Sequence, residues 1–134
     1  MLKRFISPIR ITLYSALAMS SAFSGLLYAQ PYISEIHYDN SGADTGEAIE
    51  ISGLPGESID GWQIVFYNGS TGNSYATRNL TGNLSSTEGC EEGTHVEFVS
   101  GIQNGSPDGI ALIAPDNSIE EFISYEGSFT ALNG

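Results

Sequence analysis

Beyond Arg10 this 134-residue sequence holds one positive charge, Arg78. All sixteen Asp and Glu residues lie after residue 30, so residues 30–134 carry one positive against sixteen negative charges, formally −15. Such a segment cannot supply the several Lys and Arg contacts that displace condensed counterions from a phosphate backbone, which excludes direct nucleic-acid binding. Cysteine is nearly absent too. Cys90 stands alone, so no disulfide closes within the chain, and a partner thiol would lie in another chain or in sequence beyond Gly134. With Glu88, Glu91 and Glu92 around it and no basic neighbour, Cys90 is a poor nucleophile. Also missing are a Gly-rich phosphate loop, a nucleophile elbow, the Cys/His spacing of a zinc site and, after residue 29, any sustained helical periodicity.

What is present begins with a leader. Lys3, Arg4 and Arg10 precede a mostly apolar run from Ile11 to Tyr28, and Ala29 stands before Gln30-Pro31. A basic start, an apolar middle and a small residue before the cut make residues 1–29 a secretory signal peptide. The run is close to bilayer-spanning length, so a retained anchor is the alternative. Ser15, Ser20, Ser21, Ser24 and Gly25 dilute it and favour cleavage. The expectation is a secreted, extracellular protein with no membrane attachment after cleavage, whose acidity keeps molecules apart in solution.

Residues 30–134 have the length of one small domain, able to bury about 60 to 70 per cent of its unfolded surface. Frequent Gly, Asn, Ser and Asp divide it into short segments, which predicts an all-β fold. Six strands are expected: Tyr32–Tyr38, Glu47–Ser52, Trp62–Tyr67, Thr94–Val99, Gly109–Ala114 and Ile119–Tyr125. In the third, Trp62, Ile64 and Phe66 point one way, into the space between two sheets, and Gln63, Val65 and Tyr67 the other. The alternative is an exposed Trp62 that stacks on a sugar ring. Asn68-Gly69 then signals a turn, and Pro115–Ser118 suits a hairpin connection. Ser70–Glu92, with Tyr75, Leu80 and Leu84 as its few anchors, reads as a weak edge strand and loops. Alternation from Tyr32 to Tyr125 is thus expected to enclose the apolar side chains and leave the acids outside.

The order Ile33-x-Glu35-Ile36-x-Tyr38, an acidic Ser/Gly loop, Asp44-Thr45-Gly46-Glu47, Ile49-Glu50-Ile51, a short turn, Asp60-Gly61-Trp62, an apolar strand and Tyr67-Asn68-Gly69 resembles the lamin-tail domain in its secreted bacterial form. The runs Gly101–Leu112 and Phe122–Gly127 are similar to the same subgroup, so the likeness covers most of the chain after Gln30. The resemblance implies an immunoglobulin-like β-sandwich, often found at the amino end of extracellular nucleases and phosphatases or beside other secreted modules. It implies no catalytic site. Relatives continue into at least one further strand, so the domain at 30–134 is expected to be cut short at its C-terminal end, with an open sheet edge.

The residues with most capacity for chemistry are in the loop between the first two strands: Asp39, Asp44 and Glu47, with Glu50 beside them. Calcium takes six to eight oxygens, and a loop of Asp, Asn, Ser and Thr can wrap it. Turn chemistry is the competing account, with Asp39 and Asn40 capping the loop. His37 and His95 fall inside strands without joint metal spacing and are expected to be partly exposed pair partners. Catalysis by two carboxylates needs only a suitable pair, and sixteen acids single out none. The expectation is therefore a non-catalytic module for docking, spacing or surface attachment that requires no cofactor. It would be the amino-terminal part of a larger secreted protein such as an extracellular nuclease or phosphatase, with the other domains of that chain or cell-surface components as partners. The competing expectation is a stand-alone surface module that takes Ca2+ or a glycan through Asp39–Glu47.

Overall fold

Isoleucines at alternate positions set the architecture. Ile49 and Ile51 on one strand and Ile64 and Phe66 on another are fully buried, and their neighbours along the chain are not all so. A computed structural model describes residues 30–86 and 89–132. The expected leader, residues 1–29, lies outside the described residues. Among the described residues seven strands form: β1 (Tyr32–His37), β2 (Ala48–Gly53), β3 (Gln63–Asn68), β4 (Asn73–Asn79), β5 (Gly93–Phe98), β6 (Asp108–Ile113) and β7 (Ile119–Tyr125). They make two antiparallel sheets, ordered β1-β2-β5 and β4-β3-β6-β7. The sheets pack face to face as a β-sandwich, the all-β class expected.

The interior holds Ile33, Ile49 and Ile51 from the first sheet and Ile64, Phe66, Ile110 and Leu112 from the second. Trp62, Ile59, Leu80, Leu84, Val99 and Ile102 close its ends from the connections. Each such side chain contributes about 1.5 to 3 kcal/mol relative to exposure. Trp62 is packed in this core, not presented to a sugar.

Three features add to the expected pattern. The weak edge strand expected within Ser70–Glu92 forms as β4, a full strand beside the six others. Its sequence, Asn-Ser-Tyr-Ala-Thr-Arg-Asn, hides it because an edge strand with one half-buried face needs few apolar residues, here Tyr75 and Ala76. Secondly, the turn signalled by Asn68-Gly69 forms as the connection between Asn68 of β3 and Asn73 of β4. The Asn68 carbonyl accepts from the N–H groups of Thr71 (3.3 Å) and Gly72 (2.8 Å), and the positive φ falls at Gly72 (74°). Gly69 is needed for a different reason: a Cβ there would lie 2.2 Å from the Pro107 carbonyl oxygen. Thirdly, the outer face of the second sheet is covered. Tyr67, Ala111 and Ile113 pack beneath Phe129 and Ala131, and the Leu132 N–H donates to the Gly72 carbonyl (2.8 Å).

Replacing Phe66 by Ala should lower unfolding stability by about 3 to 5 kcal/mol through loss of burial and cavity formation. Phe98→Ala, on the solvent side of β5, should change it by no more than about 0.5 kcal/mol. Urea unfolding followed by far-UV circular dichroism measures both.

Candidate functional site

The loop between β1 and β2 is held by its own polar side chains. The Asn40 N–H donates to Asp44 Oδ1 (3.1 Å), the Asn40 amide donates to the Thr45 carbonyl (2.9 Å), and the Asn40 carbonyl accepts from the Gly42 N–H (2.8 Å). Short polar side chains bonding backbone a few residues away are what stabilise such turns. Asn104, from the connection between β5 and β6, reaches across with its Nδ2 to Asp44 Oδ2 (3.3 Å) and Asp39 Oδ1 (3.5 Å). The loop is thereby tied to the neighbouring connection between β5 and β6, at the same end of the sandwich.

Of the three acids expected to meet a cation, Asp39 and Asp44 come together around Asn104, and Glu47 bonds elsewhere. Glu47 is only 8% exposed; its Oε2 accepts from the Gly101 N–H (2.7 Å) and its carbonyl from the Val99 N–H (3.0 Å). Its Oε1 is buried without a hydrogen bond. Asn104 offers donor hydrogens, not oxygen, to both aspartates, and among the described residues no group of three or more His, Cys, Asp or Glu side chains is placed to hold a metal. Glu50 lies on the outer face of the first sheet and accepts from the Ser34 hydroxyl (2.7 Å). Both histidines are half-buried: His37 Nε2 lies 3.2 Å from Asn40 Oδ1, and His95 Nε2 lies 3.4 Å from Glu97 Oε2. Cys90 is exposed and free.

Beside this loop lies a surface that alternation alone places the wrong way round. In β5, Thr-His-Val-Glu-Phe reads as Val96 and Phe98 inward with His95 and Glu97 outward. The pairing reverses it. His95 stands opposite Ile51 and Glu97 opposite Ile49, both on the core side, whereas Val96 pairs with Glu50 and Phe98 with Ala48 on the solvent side. Phe98 is 74% exposed, and the His95–Glu97 pair sits at the margin of the core with about 27% and 28% of each side chain exposed. The expectation that acids stay outside fails in part at half-buried Glu97 and outright at Glu47 and Asp108, which are buried and each accept a backbone N–H, from Gly101 and Gly69 respectively. For Glu97 the reason is register: a one-residue slip would expose every inward side chain of the strand, and Val99, buried at its end, has the parity of His95 and Glu97.

Phe98 and Gly46 line two adjoining hollows. One, about 300 Å³, runs under the acidic loop past Asp44 and Glu47. The other, about 210 Å³, lies on the outer face between Val96 and the carboxylates Glu35 and Glu50. An apolar ridge flanked by negative charge results. Sequence reasoning missed it, though Val96 and Phe98 were visible as one side of a strand.

Across the sandwich, Gln103 is held by two phenols. Its N–H donates to Tyr75 Oη (3.0 Å) and its carbonyl accepts from Tyr125 Oη (2.7 Å). Burial pushes the Tyr125 phenol well above its ordinary range, with Tyr75 and Asp108 adding to the shift. Burial likewise raises Tyr75. Among known proteins, no family model, curated protein or solved structure matches this chain.

Because folded Tyr125 holds its proton to higher pH than unfolded tyrosine, the native state binds more protons above about pH 10, and stability must fall as pH rises through that range. Tyr125→Phe should make the decline in melting temperature between about pH 9 and pH 11 shallower. Thermal melts across that range test it; an unchanged slope would count against the assignment.

Proposed function

We propose that the chain is an exported, non-catalytic β-sandwich module that attaches to another polypeptide, in keeping with an immunoglobulin-like, lamin-tail-type domain of the secreted bacterial kind. The observation that carries this reading is the reversed strand β5, which commits its apolar pair, Val96 and Phe98, to solvent. A large aromatic exposed beside carboxylates has no role in the core, and such local conflicts concentrate where a protein binds. The signal-like residues 1–29 support export, and the single Arg78 of residues 30–134 argues against a nucleic-acid ligand. An extracellular nuclease or phosphatase is the parent favoured by the resemblance, the module serving as its docking or attachment part.

A reporter fused behind the full chain and expressed in a bacterial host should be exported and remain protease-accessible at the cell surface. Phe98→Glu should release it into the medium. Reporter kept inside the cell, or exported but wholly soluble, would refute the attachment role. Cleavage of DNA or of a phosphate ester by the chain, abolished by a point change within residues 30–134, would refute the non-catalytic one.

A second reading takes Asp39 and Asp44, which converge on Asn104, as a weak Ca2+ site. It requires the Asn104 amide to turn its oxygen to the ion. Isothermal titration with calcium chloride should then give heat that is lost in Asp44→Asn; no heat from the parent chain removes this reading.

A further inference from the structure

We infer that the free edge of β5 accepts an extended, cationic segment of another protein as an added strand; the inference rests on the attachment role above and names its partner class. The four outer strands of the two sheets are not equally protected. The β1–β2, β3–β4 and β6–β7 ladders each carry a register shift, and bulges of this kind twist an edge away from pairing. β1 is further capped by β7, since the Ile33 N–H donates to Glu121 Oε2 (2.8 Å). The β2–β5 ladder runs without a shift from Ala48–Phe98 to Gly53–Gly93. β5 is thus a straight, regular edge.

Hydrogen-bond parity gives its free groups. The Val99 N–H donates to the Glu47 carbonyl on the β2 side, and Thr94 exchanges both its backbone bonds with Ser85 on the other side (2.7 and 2.9 Å). In an antiparallel strand these directions alternate. Val96 and Phe98 therefore turn their N–H and C=O groups the same way as Thr94, and among the described residues nothing meets them. Ser85 already occupies the first position of a ladder that an incoming strand would continue.

Side chains specify the newcomer. On the outer face it would lie along Val96 and Phe98, with Glu50 one strand beyond them; on the inner face it would meet Glu97. Alternate apolar and cationic residues match both, with main-chain bonds supplying affinity and side chains specificity. A second copy of this chain fits poorly, because two edges bearing Glu97 and Glu50, on chains of formal charge −12, would repel.

The probe is an end-blocked nonapeptide alternating Lys and Val, mixed with the full chain and followed by fluorescence anisotropy and by amide hydrogen exchange. The peptide should bind and slow exchange at Val96 and Phe98. Phe98→Ala should weaken binding about tenfold. Raising salt from about 0.05 M to about 0.5 M should weaken it severalfold, and less so in Glu97→Gln. A peptide with Glu in place of Lys, or with Pro for the central Val, should bind far more weakly. Equal binding of the Glu peptide, or binding that leaves Val96 and Phe98 exchange unchanged, overturns the inference. So does a dimer in sedimentation that the peptide does not compete away, which would assign the edge to a second copy. If peptide binding fails while the cell-surface reporter stays attached, strand addition alone is refuted; if both fail, the attachment role falls with it.

Discussion

Packing of Ile49 and Ile51 of β2 against Ile64, Phe66, Ile110 and Leu112 is the constraint on which the rest of the molecule depends. β2 is the central strand of a three-stranded sheet, so its inward parity is passed by hydrogen bonding to both neighbours. β1 adapts to that parity through a register shift between Ile33 and Glu35, which lets both Ile33 and Ile36 reach the core side. β5 has no such shift. Its parity is dictated by β2 at one end and by buried Val99 at the other, and the strand obeys at the expense of its own amphipathicity.

The surface that follows is chemically mixed in a definite way. Phe98 and Val96 stand on the solvent side, carboxylates flank them, and the backbone of the same two residues is free along the edge. A wholly apolar edge would invite indiscriminate pairing. Glu97 on the inner face and Glu50 on the outer set the charge that any joining strand would have to match. The nearby acidic loop is braced against this region by Glu47, whose carboxylate is committed to the Gly101 N–H, and by Asn104. Leaving Glu47 Oε1 buried without a partner is destabilising. It is offset by a charge-assisted bond that joins the start of β2 to the connection after β5.

The strands with strong alternation were legible in the sequence. The third expected strand placed Trp62, Ile64 and Phe66 in the core, as observed, and Ile119–Tyr125 matches β7 end to end. β4 was legible only as a weak edge, because its polar side chains report exposure and not backbone pairing. For the acidic loop, composition showed that oxygens were abundant but not where they point. Asp39 and Asp44 meet at Asn104, some sixty residues away in sequence, and Glu47 turns inward to a backbone N–H equally remote. Tyr67 was assigned correctly to the outer face, yet that face is covered by Phe129 and Ala131, a contact no local pattern encodes.

By itself the order of residues determined the all-β class, most strand positions, the strong acidity of residues 30–134 and the lone thiol, since each depends on side-chain type and short-range period. Which face of β5 meets water was decided only by tertiary structure. A strand of alternating residues has two equivalent sides until a neighbour's register chooses between them, and here β2 and Val99 made the choice against the strand's own hydrophobicity.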